Sequence, residues 1–181
     1  MELDQDDTAT HPYEASNGAW SAILAAISHM MVLEDSLWVH NGPNSVTARI
    51  HSHGQLTLVR CALENASLAL WLLEPDQRDV RILRRIQQEW DEIKQLSKVR
   101  AIAGKPLDPP LAPREIRLKA ILTNAGAPAN QLKQRPSYEE IVGNAGDMRP
   151  HGGKVARVVW KACSAMAHGE TRGMAAYLDK E

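Results

Sequence analysis

The longest regular pattern in the chain lies in residues 56–73, LTLVRCALENASLALWLL, where Leu56, Val59, Leu63, Ala66, Leu70 and Leu73 recur at steps of three and four. That spacing winds them onto one stripe of an α-helix and predicts a core face. Upstream, Ser16 or Asn17 is placed to cap a first helix through Trp20, Ile23, Leu24, Ile27, Met30, Met31 and Leu33, ending near Trp38 and the Asn41-Gly42-Pro43 stop. The long helix is expected to resume at Val46, with Gly54 a weak point costing about 1 kcal/mol relative to alanine. Glu74-Pro75 ends it, because proline restricts the residue before it and cannot continue the hydrogen-bond ladder. Asp76 then caps a third helix from Val80 to about Ala103, with Gly104 as stop. So short a connection predicts that the second and third helices pack as an antiparallel hairpin.

Residues 105–113, KPLDPPLAP, form a proline-rich spacer. A short helix is expected over residues 114–124, closed by Gly126, and Ser137-Tyr-Glu-Glu140 has the spacing of a capping box that starts another. A last long helix over residues 154–168 stops at Gly169, with Val155, Val158, Val159, Ala162 and Met166 as its apolar side. From Glu170 a frayed helix would carry Met174, Ala175 and Leu178. Alternating Val, Thr and Tyr are hard to find, so no strand is expected. The expected fold is all-α: an antiparallel helical bundle of four to five main helices around a long central helix hairpin. It occupies a single domain over residues 17–181, behind a flexible acidic N-terminal arm over residues 1–16.

At 181 residues the chain can bury a core without disulfides or metal. It has no Phe beside five Trp, which leaves the core to aliphatic side chains and suits ridge-into-groove helix packing. A formal net charge of −1 announces neither nucleic acid nor an anionic membrane, though a local basic face is compatible with it. Cys61 and Cys163 sit among apolar or small residues, as reduced, buried thiols of a cytosolic protein would. The acidic start MELDQDDTATHPYEASNG lacks the basic and apolar regions of a secretory signal, and no apolar run is expected to reach a membrane-spanning length. The expected location is cytoplasmic, with no membrane partner.

The candidate chemistry is polar. Arg60 and Glu64 lie one turn apart among Leu58, Val59, Ala62 and Leu63, where a charged pair must be satisfied. On the last helix Arg157, Lys161, Ser164 and His168 follow at steps of four, three and four, ending at a C-terminus whose carbonyls favour a protonated imidazole. If this row packs against the central helix, the two sets can meet. They then form either a structural cluster that fixes helix register or a catalytic one. Arg78, Arg81 and Arg85, with Arg84 beside them, form a basic edge that reads either as a solvated face paired with Glu89, Asp91 and Glu92 or as a phosphate-binding surface. His51 and His53 lack chelating spacing, so no metal is expected. The chain carries no nucleotide-phosphate loop, no G-x-S-x-G, no H-E-x-x-H and no C-x-x-C.

Arg60 and Glu64 in VRCALENA, followed by WLLEP, together with Ser164 to Gly169 in CSAMAHG, resemble the paired R-x-x-x-E and S-x-x-x-H-G motifs of uncharacterised all-helical bacterial proteins. Those proteins are distantly similar to the HEPN superfamily of small, often dimeric helical bundles, which includes metal-independent endoribonucleases. The resemblance covers about residues 56–100 and 155–169. The superfamily's signature is an arginine, four to six intervening residues and a histidine on one late helix. Here Lys161, six intervening residues and His168 stand at those positions, with Ala162 where active members carry a polar side chain. The resemblance implies a homodimer that binds or cleaves RNA in a bacterial stress or defence setting, without a cofactor. In it His168 is the acid or base, Lys161 neutralises phosphorane charge with help from Arg60 or Arg157, and Ser164 and Glu64 belong to the same cluster. RNA phosphates would lie along Arg78, Arg81 and Arg85. The alternatives are a non-catalytic module that binds a protein partner and a small-molecule sensor with a pocket between the second and sixth helices, lined by Trp71 and Trp160.

Overall fold

A computed structural model of the chain describes residues 2–43, 45–150 and 152–170. Within them run seven α-helices, α1 (Glu2–Thr10), α2 (Ala15–Leu37), α3 (Ser52–Leu73), α4 (Arg78–Ile102), α5 (Leu111–Asn124), α6 (Tyr138–Asp147) and α7 (Gly152–Ala167). A two-stranded antiparallel hairpin, β1 (Trp38–Gly42) and β2 (Ser45–Ala48), separates α2 from α3. The chain is mainly helical, as expected. Its contacts divide it into two compact units, Met1–Trp20 with Trp71–Pro136, and Ser21–Leu70 with Ser137–Glu181.

The first unit is built on α4, whose Ile82, Ile86, Trp90 and Ile93 recur at the α-helical period and are at most 4 % exposed. Leu118 and Leu122 of α5 meet them, and Leu107 of the proline-rich spacer and Leu132 close the cluster. Helix α5 starts at Leu111, earlier than expected, because Pro113 in a first turn forfeits only an N–H that has no intrahelical partner there. The cap expected at Asp76 falls instead on Gln77, which makes no side-chain capping bond.

The stretch expected to be a loose arm carries α1. Asp6 is fully buried, and its carboxylate accepts from Arg81 Nε at 2.7 Å and Arg78 Nε at 3.2 Å. Ala9 packs against the core cluster. An acidic composition reads as solvated until its partners are known. Here they lie more than seventy residues away.

In the second unit, α6 and α7 approach so closely that a side chain at Gly153 would place its Cβ 2.3 Å from the Gly143 carbonyl oxygen. One at Gly146 would sit 2.5 Å from the Ala156 Cβ. The absence of side chains at these positions permits the contact. The expected capping box opens α6: Ser137 Oγ accepts from the Glu140 amide, and the Glu140 carboxylate accepts from the Ser137 amide at 2.8 Å.

The helix expected from Val46 starts only at Ser52, and residues 38–48 form the hairpin instead. Trp38 pairs with Ala48 and Val39 with Thr47, while Asn41 Nδ2 donates to Thr47 Oγ1 at 2.7 Å. The deciding contact is Gln55, only 7 % exposed, which donates to the carbonyls of Arg49 at 2.8 Å and Ser36 at 3.2 Å and accepts from the His51 amide at 2.9 Å. It satisfies backbone groups on both sides of the hairpin. A strand pair of four or five residues leaves little period-two signal, and its stabiliser lies outside it.

Helical periodicity located the helices better than their buried faces. On α2 the small residues Ala22 and Ala26 are buried, whereas Leu24, Ile27, Met30 and Met31 are about half exposed. On α3 the stripe expected as core is half-buried or exposed, and Ala62, Leu68, Ala69 and Leu72 are buried instead. On α7 Val155, Val158 and Val159 face outward, while Cys163, Ala165 and Met166 are buried. By length and composition alone, His53–Leu73 is long and apolar enough to cross a membrane, contrary to the expectation that no run reaches that length; a core helix passes the same test. The helix expected after Glu170 lies outside the described residues.

Candidate functional site

In the second unit the middle of α3 meets the end of α7 through four side chains. Arg60 Nε donates to Glu64 Oε1 at 2.8 Å, the i,i+4 pair that its helical spacing predicts. Trp160 Nε1 donates to the same carboxylate oxygen at 2.7 Å, and the Arg60 guanidinium lies 5.6 Å from the centre of the Trp160 ring. Arg60 Nη1 stands 3.2 Å from Nε2 of His168. Because a guanidinium only donates, that contact needs the lone pair on Nε2, and so a neutral imidazole with its proton on Nδ1.

The geometry fixes the arginine on one side and leaves it open on the other. Glu64 holds its Nε and the indole face supports its plane, which cuts the rotamer freedom lost on gripping an anion. Arg60 and Glu64 retain 24 % and 15 % side-chain exposure, and His168 is exposed just past the helix end. Arg60 and His168 are therefore both reached by solvent where their side chains meet. Nearby, burial pushes the Cys163 thiol up, an effect the Arg60 charge partly offsets. His53, at the start of α3, bonds through Nδ1 to the Met166 carbonyl at 2.7 Å and ties the two helix ends together.

No family model, curated protein or solved structure matches the chain. The geometry of this cluster therefore carries the functional argument.

The structure brings together Arg60, Glu64 and His168 of the expected constellation and sends other members elsewhere. Lys161 pairs with Glu139 of α6 at 2.9 Å, and the Arg157 guanidinium lies across Gly143 of α6. Ser164 is half-buried, and its carbonyl accepts from the His168 amide at 3.1 Å. The row of four on α7 therefore splits: its first two members reach α6, and its last reaches α3. Trp160 was missed. The signal available was chemical, because a half-buried indole N–H needs an acceptor and Glu64 was the unsatisfied carboxylate in the expected cluster.

The basic edge of the first unit is engaged internally. Arg81 and Arg85 are each 7 % exposed; Arg81 meets Asp6 and the carbonyls of Pro75 and Asp76, and Arg85 meets Glu89 at 2.9 Å and the Glu14 carbonyl at 3.1 Å. Arg78, more open, holds Asp6 and the Gln5 carbonyl. Of the acids expected to pair with this edge Glu89 does so, and Asp6 and Glu74 supply further carboxylates. Arg84 stacks on Trp71, 5.5 Å from its ring centre.

In the first turn of α7 the Gly153 amide donates to Asp147 Oδ1 at 2.6 Å, so this chain's own carboxylate occupies that end. Among the described residues, no three His, Cys, Asp or Glu side chains gather as a metal site would require.

Proposed function

We propose that the α3–α7 cluster grips an RNA phosphate and supports metal-independent strand cleavage, within an antiparallel bundle of four to five main helices organised on a central hairpin. The observation that carries this reading is the 3.2 Å approach of an exposed His168 Nε2 to an arginine already braced by Glu64 and Trp160. His168 takes the proton of a ribose 2′-hydroxyl through Nε2 as the 2′-oxygen attacks phosphorus. The bond from phosphorus to the 5′-oxygen breaks, and that oxygen leaves with a proton drawn from solvent. Arg60 moves its free N–H groups onto the phosphorane oxygens, where charge grows. Lys161, tied to Glu139, stands outside the reacting groups, so Arg60 takes the role that the late-helix signature assigns to its arginine.

The test is cleavage of an unstructured RNA by the purified chain in EDTA, beside His168→Ala and Arg60→Ala. The reading expects 2′,3′-cyclic phosphate ends from the parent protein and at least a hundredfold slower cutting by either variant. Equal cutting by all three, or none by any, removes it.

A second reading is favoured by α2. Leu24, Ile27, Met30 and Met31 present an apolar surface, and a groove of about 440 Å3 lies along Ile27, Met31 and Leu37. Such a face suits a protein partner, including a second copy of the chain. Sedimentation of the parent and of Met31→Glu over a range of concentrations separates the cases. Self-association should be lost in the variant, and identical behaviour sinks the idea.

A further inference from the structure

A second feature of the same unit lies apart from the arginine–histidine cluster. Helices α3, α6 and α7 line an open groove of about 420 Å3, within the range of small-molecule sites. Its walls are aliphatic: Leu63 and Leu70 of α3, Val142 of α6, Val155 and Val159 of α7. Small residues at Ala66, Ala145, Gly146 and Ala156 leave the space that larger side chains would fill. Among the described residues no aromatic ring lines it, which disfavours a stacked nucleobase and favours a flexible aliphatic chain.

Two polar groups break this lining. Ser67 is only 2 % exposed and lines the groove. Its hydroxyl can donate to an oxygen atom placed beside it. At the rim is Arg149, exposed and without an ion pair among the described residues. Among the described residues no carboxylate lines the groove, and Asp147, two residues from Arg149, is turned to the Gly153 amide. The site thus offers one positive charge at its mouth, an aliphatic interior and a single donor inside.

We propose that this groove binds an aliphatic monocarboxylate of medium chain length. Its carboxylate rests on Arg149, its chain lies among the valines and leucines, and Ser67 donates to an oxygen substituent along the chain. The proposal is independent of the nuclease reading, since none of the groove residues belongs to the Arg60 cluster.

Isothermal titration calorimetry of the full chain with decanoate, its monohydroxy derivatives and decylamine tests it. Decanoate should bind and decylamine should not, and Arg149→Ala should weaken decanoate about tenfold or more, as loss of a charge-assisted contact does. At least one hydroxydecanoate should bind tighter than decanoate, and Ser67→Ala should erase that gain. Ala66 is exposed, so Ala66→Leu fills the groove without disturbing the core and should abolish binding while the melting temperature holds. Absence of decanoate binding at about 1 mM, a Kd equal to that of Arg149→Ala, or equal binding of decylamine overturns the proposal.

Discussion

Replacing Asp6 with alanine should destabilise the first unit by about 3 kcal/mol, below the middle of the range for breaking a buried ion pair. The figure follows from what the carboxylate leaves behind. Arg81, 7 % exposed, loses a 2.7 Å charge-assisted bond but keeps the carbonyls of Pro75 and Asp76 at 2.9 Å. Arg78 is 44 % exposed on its side chain, so losing its 3.2 Å contact adds at most about 1 kcal/mol. In a chain of this size, about 3 kcal/mol lowers the melting temperature by roughly 6 to 12 °C. Differential scanning calorimetry at neutral pH reads it directly. The companion variant is Asp6→Ala with Arg81→Met, which removes the guanidinium together with the carboxylate and should recover part of the loss. A single variant melting within about 1 °C of the parent would show that residues 2–10 are a dispensable arm and that the buried pair contributes nothing.

Two other outcomes test the second unit. Gly153→Ala sets a Cβ 2.3 Å from the Gly143 carbonyl oxygen, backbone that cannot swing aside, and should cost about 1 to 3 kcal/mol, read by thermal melting; a neutral result would mean the two helices sit farther apart. Glu140, exposed at the start of α6, has its carboxyl held below the usual range by hydrogen bonds from the Ser137 hydroxyl and amide. A depressed folded-state pKa gives stability that is present above the unfolded value and lost as pH falls through the folded one. The melting gap between the parent and Glu140→Gln should therefore be open at neutral pH and close below about pH 4; a constant gap contradicts the cap.

Most helices, the Arg60–Glu64 pair and the α6 capping box were legible from local spacing, because each rests on groups within four residues of one another. The hairpin was not legible, since Gln55 stabilises it from the following helix. Nor was α1, whose buried acid is matched by arginines more than seventy residues away. The approach of Arg60 to His168 was anticipated as a condition, two polar sets meeting if their helices packed together, and no local pattern could meet that condition.

What the sequence determined by itself is where the chain turns helical and which polar groups recur on one face, because backbone periodicity and capping are short-range. The tertiary structure alone decided which apolar face is buried, which arginines are already held, and that Trp160 rather than Lys161 joins the cluster. Those outcomes depend on contacts between distant segments, where close packing and the desolvation of charge select one arrangement among several that the same periodicity allows.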